Sequence, residues 1–264
     1  MEQPRRLGDW RRALWAQRLL AVAILVAGWQ AVTAASIFSP DLLPAPADVF
    51  ESAVLLPATS EFWGALRATL SSALLGLALG TVIAIPAGLL IGASPALDRT
   101  TRLLVDVFRA TPIIALLPVL ILLLGVTFKM EVMVVTLASI WPLLLQTAYG
   151  ARRVEPVVED MARSYRIPPH LRFLYVLLPH AAPFIMTGLR VAASHSLLVA
   201  IGTELLSQTP GLGYEIALDQ QGAAIPEMMA YVLYSGLLGF VMNSGLVAIE
   251  GRMLAWHGAA RERQ

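Results

Sequence analysis

The residues of this chain whose types could do chemistry are few, and the most suggestive stand inside one apolar stretch. His195 has a serine on each side, Ser194 and Ser196, and the same stretch carries Arg190 and Glu204. Histidine and serine are the parts of a nucleophilic catalyst. An intramembrane serine hydrolase, however, needs its serine in a glycine-flanked elbow and its histidine on another helix. Here both would share a helix, and Ser235 and Ser244 have no histidine in reach by sequence. No Gly-x-x-x-x-Gly-Lys-Ser/Thr loop occurs, so the phosphate cradle of an ATPase is missing. Cysteine is absent, which removes disulfides, thiolate zinc sites and a cysteine nucleophile. No residue set suggests a metal or a bound cofactor. The pattern argues against an enzyme.

Ionisable groups inside apolar stretches are functional candidates by default. Arg190, His195 and Glu204 are therefore candidates for a translocation path. Arg190 and Glu204 fall on one helical face but about 21 Å apart along it, too far to pair within the helix. The bland alternative puts Arg190 at one membrane interface and Glu204 at the other, their stems buried and their charges in water. His195 is equally a packed helix contact or a path residue. Gln146, Gln208 and Asn243 read as interhelical hydrogen-bonders. Met and aromatic residues within the spans read as filling.

The elements that must position these residues are membrane spans. Of 264 residues, 57% are hydrophobic and only 14% charged, with mean hydropathy +0.70, which marks an all-α polytopic membrane protein. Six apolar runs are long enough to cross: 19–38, 66–91, 110–128, 132–151, 183–206 and 228–249. Residues 1–18, with five arginines among Leu7, Trp10, Leu14 and Trp15, suit a surface helix. A cleaved leader ending near Ala34-Ala35-Ser36 is the rival reading, but its apolar core would be too long. Leu43-Pro44-Ala45-Pro46 starts an extended connector. Gly76, Gly80, Gly88 and Gly92 are spaced so that another helix backbone can approach closely, and Pro86 predicts a kink. The division is a surface segment over 1–18, a membrane domain over 19–250 and a tail over 251–264.

Charge orients the bundle. Sixteen of nineteen basic residues fall on alternate ends: five in the amino tail, three in 98–109, five in 152–178 and three in the carboxyl tail. Basic loops stay inside, so both termini and the 152–178 loop are expected in the cytoplasm. That loop is the longest polar interruption. Pro156 suits a helix start with Glu155, Glu159 and Asp160 around it, and Val158, Met161, Ala162 and Tyr165 recur at helical spacing. Pro168-Pro169 ends this helix, and a second short one is expected over about 169–177. A solvated connector resting on headgroups is the alternative from pattern alone.

Asp160-Met161-Ala162-Arg163-Ser164-Tyr165, followed later by Leu177-Leu178-Pro179, resembles the EAA loop of ABC importer permeases. The pieces Leu43–Pro46, Arg109–Pro118, Pro183–Arg190 and Gly211–Tyr214 are similar, in order, to the nitrate, sulfonate, taurine and bicarbonate-type branch. The resemblance covers about residues 40–250 and implies a type I ABC importer transmembrane domain with six transmembrane helices in the bacterial inner membrane. It implies an ABC ATPase subunit that holds ATP and magnesium, a second permease copy, an extracytoplasmic substrate-binding protein, and no cofactor on this chain. It also implies that Glu159, Asp160, Met161, Ala162, Arg163, Tyr165 and Arg166 contact the ATPase. In two places the chain departs from the family: the triad reads Asp160-Met161-Ala162, and Arg166 stands where glycine is expected, so the bend there must be made differently. A stand-alone secondary transporter is the alternative, but no convincing internal repeat supports it. Nothing suggests nucleic-acid binding.

Overall fold

The computed structural model describes residues 7–39 and 42–253, and no strand occurs among them. In chain order the helices are α1 Leu7–Ala34, α2 Pro46–Leu55, α3 Ser60–Ala93, α4 Pro95–Ala110, α5 Leu117–Leu124 and α6 Phe128–Arg152. There follow α7 Pro156–Ser164, α8 Pro169–Arg172, α9 Leu178–Ser207, α10 Leu212–Gln221 and α11 Ile225–Met253. Five of these are long and apolar enough to cross a bilayer: α1, α3, α6, α9 with its lead-in, and α11. They coincide with five of the six apolar runs. Helix α1 is continuous through residue 18. The interfacial placement expected for Trp10 and Trp15, and the arginines beyond Met253, lie outside the described side chains.

The third run behaves differently. Helix α5 has eight residues, about 12 Å, which is less than half of a bilayer core. The preceding stretch, expected as a loop over 98–109, is helix α4, and the two segments Pro95–Ala110 and Ile113–Leu124 meet at 83°. Pro112 causes the break. It has no N–H to give and drives Thr111 into an extended conformation, φ −74° and ψ 123°. Arg109 therefore belongs to one arm of a bent helix pair rather than to a loop.

The core is the packing of α3, α6 and α9. Small residues on α3 set the approach: a Cβ at Gly92 would stand 2.5 Å from the Ala148 carbonyl oxygen, and one at Gly76 2.5 Å from Val135 Cγ1. With no solvent to drive helices together in lipid, such close contact supplies the attraction. Leu77, Ala84, Leu143, Leu144, Ile185 and Ala192 fill one half of this core. Met130, Val134, Val135, Leu197 and Ala200 are in the other. Helix α3 runs through Pro86 without interruption, so the kink expected there does not break it. Helix α11 closes the side, tied to α2 by Tyr234 Oη, which donates to the Ala53 carbonyl at 2.6 Å. Helix α1 touches little beyond α2, held by Trp29 Nε1 donating to the Pro44 carbonyl at 3.1 Å. Its Leu20, Ile24 and Leu25 are exposed, as a lipid-facing helix requires.

Candidate functional site

At the end of the bundle where α6 finishes at Arg152, the 152–178 loop folds into a helical hairpin of α7 and α8. Helix α7 begins with Pro156 after an extended Glu155 and carries Glu159 in its first turn, a favourable place for negative charge. Glu159 accepts from Arg163 Nη2 at 2.8 Å on its own helix and from Arg172 Nη2 on α8, so one carboxylate clamps the two arms. Partial burial alone would raise its pKa, but the two guanidinium groups outweigh it and hold Glu159 below the usual carboxylate range. Behind it Arg152 bonds Asp98 of α4 at 2.9 Å. Helix α8 passes through a π-helical turn, Phe173–Leu177, directly into α9. Any movement of the hairpin therefore acts on the rod that carries Arg190, His195 and Glu204.

The bend between the arms is made by Arg166 in the left-handed region, φ +50°. The Ile167 N–H donates to the Ala162 carbonyl at 3.0 Å, and the Arg166 N–H to Arg163 at 2.9 Å. That is the Schellman closure glycine usually makes. The expectation that arginine would force a different bend is thus corrected: the geometry is the glycine geometry, adopted by a residue with a Cβ at about 1–2 kcal/mol. Of the candidate contact residues, Asp160, Met161, Arg163, Tyr165 and Arg166 are exposed. Tyr165 is 76% exposed and nearby Val157 67%. Ala162 is buried, so it supports the hairpin from within. Glu159 is the internal clamp.

The residues inside the spans separate into three places. Arg190 pairs with Glu250 of α11, a partner that was not foreseen. His195 lies exposed on α9, makes no side-chain hydrogen bond and lines a cavity at the α4–α5 break. Glu204 is fully buried at the opposite end of the bundle. Its Oε2 accepts from Thr69 Oγ1 of α3 and from the Gly213 N–H, each at 2.9 Å, while the Leu212 N–H donates to Thr69 Oγ1 at 2.8 Å. Glu131 of α6, also buried, approaches Ser72, Glu204 and Thr209. One carboxyl group thus ties α3 and α9 to the start of α10. The reading of Glu204 as an interfacial charge is corrected: it is enclosed because α10 folds back over it. Gly211 and Gly213 are required there, since a Cβ at Gly211 would sit 2.1 Å from Glu204 Cδ and one at Gly213 2.1 Å from the Ile201 carbonyl.

Gln146, Gln208 and Asn243 make no side-chain hydrogen bonds, contrary to the expectation for them. Gln208 instead ends α9 in the left-handed conformation, φ +58°, with its N–H on the Glu204 carbonyl. Glu131, Thr69, Glu250 and Asp106 were not among the residues the sequence pattern singled out. The signal for α10 was the Gly211-Leu212-Gly213 run just after a membrane glutamate.

A bundle of apolar helices that projects a braced hairpin at one end defines a polytopic membrane subunit. Residues 63–255 match the family described as binding-protein-dependent transport system inner membrane component, and the chain belongs to that family. It is 28% identical over 257 residues to the taurine transport system permease protein of Escherichia coli K12, covering 94% of each chain. A probable ABC transporter permease of Brucella abortus is 30% identical, covering 92% of this chain and 96% of that one. The nitrate import permease of Synechocystis is 26% identical over 88% of this chain and 86% of the relative. In fold it is similar to a chain of the inward-facing MetNI methionine ABC transporter. The TM-score is 0.63 at 18% identity, over 74% of this chain and 96% of that one.

Proposed function

We propose that this chain is the permease subunit of an ATP-driven importer of a small solute, and that the α7–α8 hairpin is where a separate ATPase subunit docks. The observation that carries the reading is the hairpin itself. Val157, Met161 and Tyr165 stand exposed on a frame held by Glu159, Arg163 and Arg172, and the frame is continuous with α9. Exposed apolar groups beside charges are what a partner surface requires, and continuity with a long helix is what transmission of movement requires.

The bias of basic residues toward the hairpin end supports a cytoplasmic position for that end and for both termini. Two copies of the chain would enclose the path, with ATP and magnesium held by the ATPase pair below and a binding protein delivering solute from the opposite face. Relatives named for taurine, nitrate and bicarbonate support a solute bearing an oxygen-rich anionic group. Alternating access by rigid-body motion of the bundle then moves it without changing it chemically.

The test is co-purification. Met161→Arg and Tyr165→Asp should abolish recovery of the ATPase subunit with the permease while both variants still insert in the membrane. Undiminished recovery of the ATPase with both variants, or labelling of Arg163→Cys from outside the cell, would overturn the reading.

A further inference from the structure

Helix α4 mixes exposed apolar and exposed charged side chains. Leu103, Leu104, Val107 and Phe108 are exposed, and so are Arg102, Asp106 and Arg109, which with Asp98 are spaced three and four apart and line open cavities against α6. Charged side chains stand open on a membrane helix only where water reaches them, as it does in a cavity.

Two cavities lie along it. The larger, about 630 Å³, sits at the α4–α5 break and is bounded by Arg109, Thr111, Trp141 and His195. The smaller, about 240 Å³, shares Asp106, Arg109 and Leu145 with it and continues past Arg102 to Arg152. Trp141 stands about 20 Å from the start of α6 and about 16 Å from its end, so the larger cavity lies near mid-depth. A guanidinium held at that depth is a functional feature by default.

The donors there are free. Asp106 engages Arg109 at Nε, 2.9 Å away, and leaves its Nη donors without a partner in the protein, on a side chain that lines the cavity. Neither the Trp141 indole N–H nor the His195 ring has a hydrogen-bond partner in the protein. Phe108 stacks on Trp141 with ring centroids 5.4 Å apart and holds the indole in place. Thr111 is not a donor, because its hydroxyl already donates to the Val107 carbonyl at 3.0 Å. Arginine, imidazole and indole N–H groups around one space suit an acceptor with several equivalent oxygens, and a guanidinium edge matches such a group bidentately.

We propose that Arg109, His195 and Trp141 form a mid-membrane subsite for the oxyanion group of the solute, sulfonate-sized, and that Arg102 and Arg152 continue the route to the hairpin end. Asp106 is a positioning residue that keeps Arg109 turned toward the solute. The subsite rests on the reading of the chain as a solute path, and gives that path residues and a chemical class.

The test is saturation-transfer NMR on the purified full-length chain in detergent with millimolar ethanesulfonate, beside ethanol as the neutral counterpart. Wild type should transfer saturation to ethanesulfonate and not to ethanol. Arg109→Gln should lower the transfer at least fivefold and His195→Leu about threefold, both eluting as monodisperse protein. Met161→Arg should leave it unchanged. Should Arg109→Gln aggregate, Trp141→Phe serves instead, with a twofold loss expected. No transfer in wild type, equal transfer to ethanol, or an unchanged signal in both Arg109→Gln and His195→Leu would overturn the subsite. ATPase co-purification read on the same preparations separates the two ideas. Arg109→Gln keeps the ATPase and loses the anion, whereas Met161→Arg does the reverse.

Discussion

The two ends of the bundle are held together by opposite means. At the end where α10 folds back, a buried carboxylate binds Thr69 and a backbone N–H, and two glycines leave no room for a Cβ. At the hairpin end the corresponding carboxylate, Glu159, is a third exposed and holds two arginines in water. The first arrangement is enclosed and takes its contacts from within the chain. The second leaves Val157, Met161 and Tyr165 uncovered, which a finished surface would not. Buried, fully packed contacts resist displacement, and exposed ion pairs contribute little and rearrange easily. The difference fits a body with one end fixed and the other left to be completed by a partner.

If the comparison is right, damage at the packed end should be severe. Gly213→Val drives a Cβ to 2.1 Å from the Ile201 carbonyl, which no side-chain rotation relieves, so a loss of about 3 kcal/mol or more is expected. Thermal unfolding in detergent reads this directly, and a variant as stable as wild type would remove the tight closure from the account. Glu204→Ala comes next. It leaves the Gly213 N–H and the Thr69 hydroxyl buried without their acceptor, at about 2 kcal/mol. Protease should then cut within 207–227, while cutting in 152–178 stays unchanged. Faster cutting in both segments would mean that the ends are not independent.

The hairpin end should respond mildly and, at one position, in the stabilising direction. Arg166→Gly removes a left-handed non-glycine residue and keeps the closure made by the Ile167 and Arg166 N–H groups, so a gain of about 1 kcal/mol is expected. Slower amide exchange at Ile167 would show it. Faster exchange there would mean that the arginine side chain stabilises the bend.

The contrast also marks what was legible in the sequence. Long apolar runs found α1, α3, α6, α9 and α11, because a bilayer demands length and little else. Pro168-Pro169 and helical spacing found both arms of the hairpin, because those signals are local. The buried carboxylate at the far end was found as a residue and misplaced as an interfacial one. Its partners come from α3, α6 and the start of α10, and nothing local to Glu204 announces them. Arg109 was misplaced for a related reason. A charge beside an apolar run reads as a loop, unless the helix that carries it lines a cavity against a neighbouring span.

The smallest effect separates the ends by sign. Glu159 is held below the usual carboxylate range, so its contribution is complete above the ordinary value and is lost as pH falls through the folded one. On α10 the order is reversed. Burial first, then Asp219 and Glu61, raise Glu215, and burial and Glu227 raise Asp219. Those two groups favour the fold below the ordinary carboxylate value, and the contribution is lost as pH rises through their folded values. Acidification from about pH 7 to about pH 4 should therefore loosen the hairpin and tighten α10, each by less than about 1 kcal/mol for such half-buried, partly solvated groups. Amide exchange corrected for its intrinsic pH dependence should speed up over 156–172 and slow over 212–221. Glu159→Gln should abolish the first change and leave the second. A change of the same sign in both segments would show that the ends titrate as one unit, and the contrast between a fixed end and an open one would fail.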